Sequence, residues 1–151
     1  MPNVSNIVKT IQDIMRKDAG VDGDAQRIGQ LGWMLFLKIF DDQEQELELT
    51  QDDYRSPIPE DLRWSDWAAD PEGITGEALL DFVNNDLFPT LRNLDLTRFD
   101  GTTRDRAAML QGVFADAINY MKSGTLIRQV INKICEIDFN NTEDRHTFGA
   151  I

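Results

Sequence analysis

The sequence predicts an all-α fold, an irregular bundle of about five to seven helices with one long ordered connection near 50–74. Three observations predict it. Apolar residues recur at helical spacing through most of the chain. No two alternating segments are joined as a strand pair, and there is no tandem repeat or low-complexity stretch. The stretch "LGWMLFLKIF" at 31–40 holds eight apolar residues in ten. It is far short of the roughly 20 residues that span a bilayer, so it reads as a helix covered by neighbours on several sides. With 151 residues, 41% of them hydrophobic and 28% charged, the chain suits one compact domain.

The first helix is marked by Ile7, Val8, Ile11, Ile14 and Met15 on one face. Ser5 is its expected N-cap and Gly20 its expected C′ residue. "VDGDAQ" then turns the chain. Asp22 and Asp24 flank Gly23, but the other ligands of a calcium loop do not follow, so turn plus N-cap is the reading. The second helix should run from about Ala25 into the glutamates near 46–48. Ile28, Leu31, Leu35 and Ile39 form one stripe and Trp33, Leu37 and Phe40 another, with Met34 and Phe36 between them. Gly29 and Gly32 share a face that would admit another helix closely, offsetting the roughly 1 kcal/mol each costs relative to Ala.

"TQDDYRSPIPEDLRWSDWAADPEGITG" carries three prolines, two tryptophans and no sustained period. It reads as an ordered connection pinned onto the helices by its aromatics, which pack at the core edge rather than caging a ligand. A helix is expected after Thr75 with Leu79, Leu80, Phe82 and Val83, kinked around "NNDLFPTLRNL" by Pro89. "TTRDRAAMLQGVFADAINYM" offers Thr102 or Thr103 as a cap and Ala108, Val113, Phe114, Ala117 and Ile118 as core. "SGTLIRQVINKICEIDF" places Leu126, Ile127, Val130, Ile131, Ile134 and Ile137 at helical spacing. In "NNTEDRHTFGAI", Asn141 or Thr142 caps a further helix that stops after about two turns, with Phe148 and Ile151 beginning its apolar face. The sequence is therefore read as a fragment cut in mid-element.

The formal net charge is −12. Residues 1–96 hold 20 acids against 8 Lys/Arg, whereas 97–151 hold 7 of each. The excess peaks at 41–61, where nine acids face Arg55. Such a surface repels phosphate, so non-specific nucleic-acid binding by this part is disfavoured, and solvated acidic faces are the simplest reading. The charge-balanced last third retains Arg104, Arg106, Lys122, Arg128 and Lys133 as candidate contacts to phosphates or acidic partner surfaces. The single cysteine excludes an internal disulfide, and the spaced apolar residues of the N-terminus do not resemble a secretory signal; both point to the cytoplasm.

Catalytic signals are sparse. His146 and Cys135 are the only residues of their types, too few for a His/Cys metal set, and Cys135 lies in an apolar helical stripe. No serine sits in a nucleophile elbow, and G-x-G never occurs. No catalytic, cofactor-binding or metal residue is assigned.

"LGWMLFLKIFDDQEQE", "SPIPEDLRWSDWA", "NNDLFPTLRNL" and "YMKSGTLIRQVINKICEIDFNNTEDRHTFGAI" together resemble the N-terminal domain of the modification subunit of type I restriction–modification systems. The resemblance covers essentially the whole chain. It implies a parent adenine-N6 DNA methyltransferase that uses S-adenosylmethionine on a base rotated out of the duplex. It also implies partners: a specificity subunit, a second modification subunit, a restriction subunit and DNA, with no membrane. The family's glycine-rich cofactor loop and Asn-Pro-Pro-aromatic motif are absent from these residues, so no cofactor or catalytic residue carries over. On this reading, residues 1–151 form a single helical domain lying before the catalytic domain, serving assembly near DNA. The competing reading, motivated by 41–61, is a free-standing acidic helical protein that imitates DNA and inhibits a DNA-binding enzyme.

Overall fold

The computed structural model describes residues 4–21 and 23–137, and every regular element among them is helical. In order these are α1 (Val4–Met15), α2 (Asp24–Thr50), α3 (Trp64–Trp67), α4 (Gly76–Phe82), a π-helical turn (Val83–Leu87), α5 (Phe88–Arg92), a 3₁₀ turn (Leu96–Arg98), α6 (Gly101–Asp116) and α7 (Gly124–Ile134). The all-α expectation holds. The expectations for Asp22, Asn141, Thr142, His146, Phe148 and Ile151 fall outside the described residues.

α7 buries Ile127, Val130, Ile131 and Ile134, as its spacing predicts, and packs against both α1 and α4. α1 buries the five predicted residues together with Val4. Ser5 is not its cap, because the helix already includes it. Gly20 is not a C′ residue either: α1 ends at Met15, and a Cβ on Gly20 would sit 1.8 Å from the Tyr120 carbonyl oxygen. Close backbone approach, not helix termination, requires glycine there. Asp18, 4% exposed, sets this junction. Its carboxylate accepts from the backbone N–H groups of Gly20 at 2.8 Å, Lys122 at 3.0 Å and Ser123 at 2.9 Å. Ser123 in turn caps α7, accepting from Leu126 N–H at 3.2 Å.

α2 buries Trp33, Met34, Leu35, Leu37 and Phe40. Trp33 meets Phe88 edge-on at 4.9 Å, and Phe88 meets Phe114 at 5.2 Å, so one aromatic cluster joins α2, α5 and α6. Covering is not complete, however. Ile28 is 71% exposed, and nothing lies within 4 Å of a Cβ built on Gly32. Gly29 faces the Tyr120 ring rather than a helix. The side of α2 assigned to a close-packed neighbour is open at Ile28 and Gly32.

The helix is disturbed just before Pro89, where a π-helical turn joins α4 to α5 without a break. Phe88 N–H reaches back five residues to the Val83 carbonyl, and Pro89 then occupies the start of α5. α6 meets its expectation in part, with Val113 and Ala117 packed against the core beside Phe114. Ala107, Leu110 and Phe114 are buried, while Ala108 is exposed and Ile118 is 52% exposed. The helix begins at Gly101 after Asp100, so neither Thr102 nor Thr103 is the cap, and it ends at Asp116. Arg92 meets that end: its Nε donates to Phe114 O at 2.7 Å and its Nη2 to Ala117 O at 2.6 Å. A cation on terminal carbonyls satisfies acceptors that the helix leaves open.

The connection after α2 is ordered and interrupted only by α3. Trp64 and Trp67 are buried and meet edge-on at 5.5 Å, and Trp67 reaches Phe82 at 5.3 Å. They pack as the sequence suggests. The stretch 67–74 is tied to α7 by Arg128, which is 5% exposed. Its guanidinium donates at 2.9 Å to four backbone carbonyls, those of Trp67, Ala68, Asp70 and Ile74. Burial pulls its pKa below the usual arginine value, but all of its nitrogens remain hydrogen-bonded. Charged hydrogen bonds contribute about 1.5–3 kcal/mol each before overlap. Arg128→Lys, which presents one nitrogen to those carbonyls, should lose about 3 kcal/mol or more of unfolding free energy in a urea titration. An unchanged midpoint would show the fork to be dispensable.

Candidate functional site

The polar features that stand out are internal clasps along the second half of α2. Asp41, Glu44 and Glu48 recur at three- and four-residue spacing and continue the buried face begun by Leu37. Asp41 is 1% exposed and Glu44 fully buried. Arg63 donates to Asp41 Oδ1 at 2.8 Å and pairs with Glu48 Oε1 at 2.8 Å. The second oxygen of Asp41 accepts from Ser65 N–H at 3.2 Å. One oxygen of Glu44 accepts from Arg106 Nε at 2.5 Å and the other from Tyr54 O–H at 2.6 Å. The Arg106 guanidinium also lies 4.3 Å from the centre of the Phe40 ring.

Tyr54 and Arg63 are shifted by their surroundings in the clasps. Burial, then the Glu44 carboxylate that accepts its proton, pushes the Tyr54 hydroxyl well above the usual phenol value. Burial lowers the pKa of Arg63, but its bonds to Asp41 and Glu48 outweigh this and leave it raised. Cys135, on the far flank of α2, is raised by burial despite the Trp64 indole beside it and the nearby Lys38 and Arg128 charges.

The five cations selected from the sequence divide accordingly. Arg104 and Lys122 point to solvent. Lys133 is partly exposed and pairs with Glu136 at 3.1 Å. Arg106 and Arg128 turn their guanidinium groups inward, the first half-buried on Glu44 and the second buried among four carbonyls. Within the acidic run Glu46, Glu48, Asp52, Asp53, Glu60 and Asp61 are exposed, as a solvated face requires, while Asp41 and Glu44 are interior groups. Arg63 and Tyr54 were missed, although the spacing of Asp41, Glu44 and Glu48 on the Leu37 face was a usable signal for partners. Around this end, Glu48, Asp52, Asp53, Glu60 and Asp66 line an open concavity of about 640 Å³ with Arg55 and Arg63. No group of three metal-ligating side chains occurs among the described residues, and no described helix is long and apolar enough to cross a membrane.

The geometry defines a helical domain whose buried charges lock its own segments together. Residues 4–134 match the family model described as the HsdM N-terminal domain, and the chain belongs to that family. It is 61% identical over 149 residues to the type I restriction enzyme EcoEI methylase subunit of Escherichia coli, covering 99% of this chain and 30% of that protein. Among solved structures it is similar to a modification subunit assigned to a type I restriction enzyme of Vibrio vulnificus YJ016. The TM-score is 0.81 at 40% identity, over 95% of this chain and 32% of the other. A chain from a structure concerning complex assembly and conformational transition of the type I R-M system matches with a TM-score of 0.77 at 28% identity, over 93% of this chain and 27% of the other. The chain thus spans about a third of the length of these relatives.

Two outcomes test the clasps. Glu44→Ala strands a buried cation and a buried hydroxyl and should lower stability by about 3–5 kcal/mol in chemical denaturation; a loss near zero would mean water replaces the carboxylate. Tyr54 has a folded-state pKa above its unfolded value near 10, so its contribution is complete below about pH 10 and declines as pH rises through the folded value. Tyr54→Phe should therefore flatten the alkaline fall in stability. Parallel curves for the two proteins would contradict the shift.

Proposed function

We propose that this chain is the N-terminal helical domain of a type I modification subunit, acting in assembly close to DNA while the methyl transfer is performed by polypeptide outside these residues. The observation that carries the reading is 61% identity to a methylase subunit across 99% of the chain. The parent reaction is methylation of adenine N6 with S-adenosylmethionine. The described residues of this chain do not fit that cofactor. Gly20 and Gly124, its most crowded glycines, press on the backbones of Tyr120 and Gly76 and leave no cradle there. Its partners are the specificity subunit, a second modification subunit, the restriction subunit and DNA, and its compartment is the cytoplasm.

The DNA-imitation reading is not favoured: residues 4–134 match the HsdM N-terminal domain, and two acids of the 41–61 run, Asp41 and Glu44, face inward. Arg104, Lys122 and Lys133 are the cations left to touch phosphates or acidic partner surfaces.

The isolated 151-residue chain should show no tritiated methyl transfer from S-adenosylmethionine to DNA; turnover would place the chemistry inside it. In the assembled enzyme, Arg104→Glu with Lys122→Glu should weaken subunit assembly or DNA binding. If the contacts are to phosphates, the salt slope should fall by about 0.9 per phosphate released. Unchanged assembly, affinity and slope would remove these residues from the interface.

A further inference from the structure

We draw no further inference here: the strongest candidate, the outward face of α6 along the exposed Ala108, Met109, Gly112 and Ala115, is an unpartnered helix face, and nothing in the structure shows what covers it.

Discussion

A carboxylate taken out of water needs a cation or several donors beside it, and α2 takes two of them inside. That constraint organises one end of the molecule. Asp41 is tolerable only because Arg63 comes with it, and Arg63 belongs to the connection that carries Trp64 and Trp67 into the core. Glu44 is tolerable only because Arg106 and Tyr54 converge on it from α6 and the same connection. Electrostatic necessity and aromatic packing therefore favour the same arrangement, the kind of agreement between levels that gives a sequence one folded state. The dense apolar run of 31–40 and the acids after it share a single face, first as core and then as anchor.

Legibility followed the range of the interactions. α1 and α7 were readable because a helix with one apolar stripe reports its buried side directly. A disturbance of the helix near Pro89 was readable because the missing N–H is a local fact. In α6 Phe114 was legible, but Ala107 and Ala108 look alike in composition, and only the packing of the helix buries one and exposes the other. The capping expectations at Ser5, Thr102 and Thr103 missed because the helices begin elsewhere. The charge clasps were the least accessible, since Asp41 pairs with a residue 22 positions away and Glu44 with one 62 positions away. Arg106 and Arg128, chosen as outward cations, have the same composition signal as Arg104, and nothing local separates them.

The same division of charge bears on how such a domain works within a larger enzyme. Its strongest polar groups are committed internally: Arg128 to four carbonyls, Asp18 to the approach of α7, and Arg92 to the end of α6. Each joins segments far apart in sequence. A rigid module of this kind suits a role in positioning other parts.

The π-helical turn at Val83–Leu87 amounts to one surplus residue accommodated within a helix. Removing a single residue there would let α4 and α5 fuse into regular α-helix, with little harm to local hydrogen bonding. The downstream half would swing by about 100° around the helix axis, carrying Phe88 off Trp33 and Phe114 and Leu91 out of the core. A family built on this arrangement should accordingly tolerate exchanges at the exposed positions 84–86 yet resist any change in the number of residues between the buried Val83 and Leu87.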